Sequence, residues 1–174
     1  MNPVKLYVAV LFAAEALLAQ ALVALEARFG AVDVRGAPVP FDHTDYYAPE
    51  LGRGLRRTIA AFAELVPPPF IVAAKWAARD IERALSQAGR RRVNLDVGFL
   101  DAFKVTLASF KERGNKVYLD RDVWLDIQLT FERGKLHPLP WTFPEFRAAR
   151  YDADLLRIRA RYREQSRLPP HPAE

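Results

Sequence analysis

The alternation of hydrophobic and polar residues near the start of the chain predicts a strand, a helix and a second strand. A continuous apolar run over residues 5–12 is typical of a strand buried on both faces. Residues 14–29 have apolar positions three and four apart, which predicts a helix that ends at Gly30. Extended structure resumes over residues 31–35, where two valines alternate with charged residues. The beginning of the chain therefore has β-α-β order.

The same order recurs after a polar, aromatic loop over residues 41–54. Residues 55–65 fit either a helix or a strand, and we favour a strand because glycine and proline enclose so short a segment. A helix is predicted over residues 70–88, after three prolines, and a strand over residues 92–96. The second β-α-β unit therefore follows the first directly.

Further strands and a last helix are predicted towards the C-terminus. Hydrophobic residues in 123–132 occupy every second position, and Arg133-Gly134 is typical of a tight hairpin turn. The aromatic spacing in residues 99–111 leaves a short helix open as an alternative to a strand. The predicted elements are strands over residues 103–111, 116–119, 123–132 and 135–139, a helix over 151–165 and a disordered tail over 168–174.

The order of these elements predicts an α+β fold. The first six match the ferredoxin-like split βαβ arrangement, in which two helices cover one face of an antiparallel sheet. Hairpin strands and a terminal helix would extend this core. We expect a single domain over residues 1–167, since a chain of 174 residues has the usual length of one domain.

The composition excludes several classes of function. The chain has no cysteine, which excludes thiol catalysis and thiolate metal sites and is compatible with a cytoplasmic location. No apolar run is long enough to span a membrane. The sequence contains no P-loop, dinucleotide-binding, zinc-protease or serine-hydrolase motif, and no motif that favours nucleic acid as the main partner. A net charge of +5 permits an anionic partner.

The loop that begins at Phe41 contains the most unusual group of side chains, and it supports two interpretations. An imidazole titrates near neutral pH, and a neighbouring carboxylate can orient it or share a cation with it. Alternatively, the aspartates cap turns and the tyrosines cover a sheet edge. The candidate residues in this loop are Asp42, His43, Asp45, Tyr46 and Tyr47.

A second candidate group lies near the strand predicted over residues 92–96. Asn94 and Asp96 could hold a metal ion or a ribose hydroxyl, or form an ordinary turn. Lys104 interrupts an apolar segment, and with other basic residues it could clasp a phosphate. A solvated strand edge is the alternative. The other basic residues in this series are Lys111, Arg113 and Lys116.

Four motifs occur in a fixed order along the chain and carry a resemblance to a known family. They lie in residues 3–6, 41–52, 93–96 and 138–144. This pattern resembles an uncharacterised bacterial family, domain-of-unknown-function family 4416, up to residue 165. Some members of that family are labelled GTP-binding without a P-loop. The resemblance implies no established catalytic residue and no mechanism.

Our leading hypothesis is that the protein binds a small anionic ligand, either phosphorylated or nucleotide-like. The site would lie between residues 42–47 and 94–104, where His43 and Lys104 would meet negative charge. Trp141 or a loop tyrosine could stack on a base.

Two alternatives remain open, and the sequence alone does not decide whether the protein is an enzyme. One is a hydrolase or transferase assisted by a divalent metal ion. The other is a structural or protein-interaction module, for which a homodimer through the strand over residues 123–132 is plausible. The residues that would hold the metal ion are Asp42, His43, Asp45 and Asp96.

Overall fold

The sheet and its helices are described by a computed structural model over residues 1–166, and the predicted tail at 168–174 lies outside that range. The strands are β1 (Val4–Phe12), β2 (Val32–Arg35), β3 (Val39–Pro40), β4 (Arg56–Val66), β5 (Val93–Leu100), β6 (Lys104–Ser109), β7 (Val117–Asp120), β8 (Val123–Glu132) and β9 (Lys135–Pro138). The helices are α1 (Glu15–Phe29), α2 (Ala48–Leu51), α3 (Phe70–Ala84), α4 (Pro144–Arg147) and α5 (Asp152–Ser166). None of the helices in this range is long and apolar enough to cross a membrane.

All nine strands join one antiparallel sheet, and its main path runs β2-β4-β1-β5-β6-β8-β7. Strand β3 pairs with β4, and β9 pairs with β8. The predicted α+β class is confirmed. The finer ferredoxin-like assignment stays an interpretation, because β3 and α2 are inserted between β2 and β4.

Strand β1 lies in the middle of the sheet, with helices over both of its faces. All of its residues are buried, as the continuous apolar run predicts. Its even-numbered residues belong to a hydrophobic core shared with α1 and α3. On the other face, Tyr7 and Ala9 belong to a second core shared with α5. The sheet therefore separates two hydrophobic layers, and α5 covers the face that α1 and α3 leave open.

The two segments with ambiguous patterns both form strands. Residues 55–65 lie largely in β4, and residues 103–111 contain β6. Helix α3 ends before residue 88, because Gln87 and Arg90 exchange two backbone hydrogen bonds of 3.0 Å in a tight turn. Arg133 and Gly134 have positive φ values of 48° and 72°, and they form the predicted turn between β8 and β9.

The prediction that β8 alternates regularly along its length is wrong in the middle of the strand. Ile127 is 36% exposed, whereas Asp126 and Gln128 are buried. The register between β6 and β8 shifts after Val105, and such a bulge changes the face to which the following side chains point. Accordingly, Val123 packs in the core under α1 and α3, and the end of β8 packs in the core under α5.

Strand β8 is not an edge strand, so the expected dimer contact through it needs correction. It pairs with β6 on one side and with β7 and β9 on the other. The outer edge at this end is formed by β7, where Val117 is 66% exposed. A homodimer stays a prediction.

Candidate functional site

Arg57 connects three segments at one end of the sheet. Its guanidinium donates a hydrogen bond from Nη2 to Asp96 Oδ2 at 3.0 Å and another from Nη1 to Glu145 Oε1. Its Cζ also lies 4.5 Å from the ring centroid of Phe41. Arg57 therefore ties the 41–47 loop and α4 to strand β5.

The position of Arg57 follows from the period of β4. It shares a face with Ile59 and Ala61, which pack in the core under α5. Burial alone would lower the pKa of Arg57, but the charges of Asp96 and Glu145 outweigh it and raise the pKa. The guanidinium is therefore a permanent buried charge held between two carboxylates.

His43 reaches the same cluster from the loop. Its Nε2 lies 2.9 Å from Glu145 Oε2, and its ring centroid lies 4.4 Å from that of Phe41. Tyr47 also packs against Phe41, with their ring centroids 5.8 Å apart, and burial raises the pKa of Tyr47 to about 12, with a smaller contribution from the Asp96 charge. The loop is thus held by packing on Phe41 and by the contact between His43 and Glu145.

A second branch of hydrogen bonds leaves Asp96 along β5. Asn94 Nδ2 donates to Asp96 Oδ2 at 3.0 Å, and Arg91 Nη1 donates to Asn94 Oδ1 at 3.0 Å. Arg91 also forms a bidentate pair with Glu50, at 2.7 and 2.6 Å. The network therefore runs from His43 in the loop to Glu50 in α2, through acidic and basic side chains and the amide of Asn94.

Beside this network, strand β5 is paired with β6 over only a small part of its length. Every residue of β5 pairs with β1, but along the described chain the register between β5 and β6 contains a single pair, Leu100 with Val105. One residue further on, the Thr106 hydroxyl replaces a backbone partner, because it accepts from Phe99 N at 3.2 Å and donates to Phe99 O at 2.9 Å. We call the edge of residues 93–97 of β5 that faces β6, which has no register pair there, the split.

Two side chains from α3 replace the missing strand at the split. Lys75 Nζ donates to Leu95 O at 3.1 Å, and Leu95 N donates to Glu82 Oε1 at 2.6 Å. Both side chains are buried, and burial raises the pKa of Glu82. The backbone edge of β5 is therefore satisfied by a cation and a carboxylate from one helix.

The loop after β6 contains three basic residues, Lys111, Arg113 and Lys116. Burial lowers the pKa of Lys116, and the nearby charges of Asp126, Arg113 and Asp96 also act on it. Lys111 Nζ donates to the Tyr46 hydroxyl at 3.0 Å, which lowers the pKa of Tyr46. Within residues 1–166, none of the three cations of this loop forms an ion pair.

The structure brings some of the predicted site residues together and separates others. His43, Tyr47, Asn94 and Asp96 belong to one cluster. Tyr46 lies at its rim, where its ring centroid is 4.9 Å from that of Tyr47.

The remaining predicted residues lie outside this cluster. Lys104 pairs with Asp101 in the turn before β6, about 17 Å along β5 from Asp96. Asp42 pairs with Arg150 at 2.7 Å, and Asp45 is exposed. Trp141 is 43% exposed and donates from Nε1 to Ile127 O at 2.8 Å.

Sequence reasoning missed the residues at the centre of the network, although a signal existed for some of them. Arg57 falls on the apolar face of the strand predicted over residues 55–65. Lys75 and Glu82 fall on the same helix face as Ile71 and Ala78, at spacings of three and four. A charged residue in a buried stripe indicates a polar partner in the interior. Glu145 follows a proline in an irregular segment, and its role there had no sequence signal.

The described residues contain no group of three or more histidine, cysteine, aspartate or glutamate residues that could hold a metal ion. The carboxylate of Asp96 binds Arg57 and Asn94 through Oδ2. Its side chain is 24% exposed. A partly exposed carboxylate of this kind can accept hydrogen bonds from a polar group.

Fold and site together define an α+β protein with a charged, partly buried network beside a strand edge that is only partly paired. The family model described as Domain of unknown function (DUF4416) matches residues 2–162, and the chain belongs to this family. No curated protein and no solved structure matches the chain.

Proposed function

We propose that this protein binds a small phosphorylated ligand beside the network of Arg57 and Asp96. The 41–47 loop would form one wall of the site, and the basic loop after β6 would form the other. Contact between Lys111 and Tyr46 joins these two walls at the rim. The ligand would lie over the exposed side of Asp96, within reach of both loops.

The observation that carries this proposal is the contrast between paired and unpaired cations around the network. Arg57 and Arg91 in the network each form an ion pair with a carboxylate. Lys104, which lies away from the network, is also paired, with Asp101. Lys111, Arg113 and Lys116 have no such partner among residues 1–166. A phosphate can supply the missing negative charge, and lysine and arginine are its usual donors in proteins.

A thermal-shift panel tests the proposal. It compares inorganic phosphate, ribose 5-phosphate, AMP and GTP with sodium chloride at equal ionic strength. At a hundred times its Kd, a ligand adds about 2.7 kcal/mol of stability. In a chain of this size, that should raise Tm by about 5 °C or more.

Two lysine variants give the panel its control. Lys116→Ala should reduce the shift, because it removes an unpaired cation beside the network. Lys104→Ala should leave the shift unchanged, because Lys104 is already paired with Asp101. If no phosphorylated compound raises Tm above the salt control, the proposal is wrong.

The two alternatives have less support. A metal-assisted reaction would need a ligand group, and none is found in residues 1–166. An interaction module would use an exposed surface such as β7. Light scattering on the purified protein reports whether it forms the homodimer that this alternative predicts.

A further inference from the structure

Exposed hydrophobic side chains concentrate at one end of the sheet, along β7 and the side of β8 that faces away from β6. Within residues 1–166, eleven large hydrophobic residues are exposed, and six of them lie here. Single exposed hydrophobic residues are common on protein surfaces, whereas a group of them indicates an interaction site. We call this group the outer patch, and its members are Val117, Tyr118, Leu119, Ile127, Trp141 and Phe143.

Contacts with β8 place the members of the outer patch close to one another. Strand β7 pairs with the beginning of β8, where the ring centroid of Tyr118 lies 5.3 Å from that of Trp124. About 10 Å further along β8, Trp141 Nε1 donates to Ile127 O at 2.8 Å. Phe143 follows two residues later in the same segment. The outer patch therefore follows one edge of the sheet rather than being scattered over the surface.

The backbone of β7 has a free edge beside the outer patch. One edge of β7 pairs with β8 from Val117 to Asp120, and no strand within residues 1–166 pairs with the other. All four residues of β7 are exposed. Proteins usually protect such an edge with charges, with proline or with a covering element, because it pairs readily with another strand. The first three residues of β7 are hydrophobic instead, which favours pairing.

We infer that a second copy of this chain pairs with β7 in an antiparallel arrangement, so that the sheet continues through a twofold-symmetric dimer. A second copy presents the same free edge and the same outer patch, and each copy therefore covers the other. Antiparallel pairing places the two Asp120 carboxylates at opposite ends of the joined strands, whereas parallel pairing would place them side by side. The inference does not depend on the proposed ligand.

The size of the outer patch fits a dimer that dissociates on dilution. At roughly 150–250 Å² per residue, the exposed fractions of its six members amount to about 500 Å² on each copy. The dimer would then bury about 1,000 Å² in total, which is near the lower limit for a specific interface. Aromatic residues supply much of this area, and tryptophan and tyrosine often provide most of the binding energy at interfaces.

Light scattering of the full chain over a range of concentrations tests the inference. The wild type should be dimeric at high concentration and monomeric after dilution. Val117→Lys should weaken the dimer at least tenfold, because it places a lysine on both of the joined strands. Val23→Lys is the matched control, since Val23 is 68% exposed and Val117 is 66% exposed, but Val23 lies in α1. The control should change the dissociation constant of the dimer less than twofold.

Trp141→Ala tests the outer patch without changing β7. It should also weaken the dimer at least tenfold, and it should fold because Trp141 is largely at the surface. If the wild type stays monomeric up to about 1 mM, the free edge of β7 does not bind a second copy and the inference is wrong. It is also wrong if both test variants dimerise as well as the wild type, or if Val23→Lys weakens the dimer as much as Val117→Lys does.

Discussion

Two buried lysines on opposite sides of the sheet have very different environments. Lys5 is fully buried on the face covered by α5, and its Nζ donates to Asp33 at 2.9 Å and to Phe62 O and Gln165 at 2.8 Å. Lys75 is almost as deeply buried, but it donates to a single carbonyl among the described residues. Lys5 uses all three of its donors within the fold, whereas Lys75 uses one of its three donors in a hydrogen bond to the described residues.

The same contrast separates the two edges of β5. One edge pairs with β1 over the full length of the strand. The other edge has a register pair with β6 at Leu100, and at Leu95 its backbone groups are satisfied by side chains instead. Side chains thus satisfy backbone groups of Leu95 that a neighbouring strand would otherwise satisfy. One edge of β5 is completed by backbone pairing, and the other edge is completed in part by charged side chains.

The largest expected effect comes from replacing each lysine by methionine. Lys5→Met should lower the free energy of unfolding by about 3 kcal/mol, because it removes a buried cation from three acceptors, of which Asp33 keeps its second partner, Arg161. Lys75→Met should lower it by about 1 kcal/mol, because one hydrogen bond is lost. Urea denaturation measures both, with the exposed Lys135→Met as a control. Equal losses at the two positions would contradict the distinction between them.

A smaller effect is expected where β5 and β6 still touch. A Cβ on Gly98 would overlap the Thr106 carbonyl oxygen and lie 2.6 Å from Tyr7 Cζ. Gly98→Ala should therefore lower the free energy of unfolding by about 2 kcal/mol through overpacking. Gly114→Ala is the matched control, since nothing lies within 4 Å of its added methyl group. If the two variants unfold at the same urea concentration, the strands do not approach each other at Gly98 as described.

The smallest expected effect concerns the pH dependence of stability at the split. Burial raises the pKa of Glu82, so between pH 4.5 and its folded pKa the folded protein binds more protons than the unfolded chain. Stability from this group should therefore increase as the pH falls through that range. Urea denaturation at pH 7 and pH 5 measures this. The free energy of unfolding of the wild type, relative to that of Glu82→Gln, should be larger at pH 5 than at pH 7. If the variant instead becomes more stable relative to the wild type at pH 5, Glu82 is not buried as described.

The regular elements could be predicted from the sequence because their patterns match the period of the backbone. Strand β1 is an unbroken apolar run, and β4 is enclosed by residues that end a helix. In β8 the same reasoning failed, because a register shift opposite β6 breaks the alternation. Such a shift depends on how two distant strands pair, and neither strand shows it alone.

The candidate site was less predictable for the same reason. His43 and Asp96 could be identified as candidates because they lie among polar residues in a loop and at the end of a predicted strand. Arg57 and Lys75 were hidden because each lies within an otherwise apolar pattern, where only the folded neighbours explain a charge. Lys104 was a candidate because it also interrupts an apolar segment, but its charge pairs with Asp101, three residues away. A charged residue in a buried stripe thus indicates that it has a polar partner in the interior, but the sequence does not show which residue that partner is.

The central claim is that a small phosphorylated ligand binds beside the network of Arg57 and Asp96, and an NMR titration tests it most directly. Backbone amide shifts of ¹⁵N-labelled protein are followed as ribose 5-phosphate is added. We expect the largest changes at His43, Asp96 and Lys116, and no change in the turn from Asp101 to Lys104. Saturable changes confined to another part of the surface, or no saturable change at all, would contradict the account.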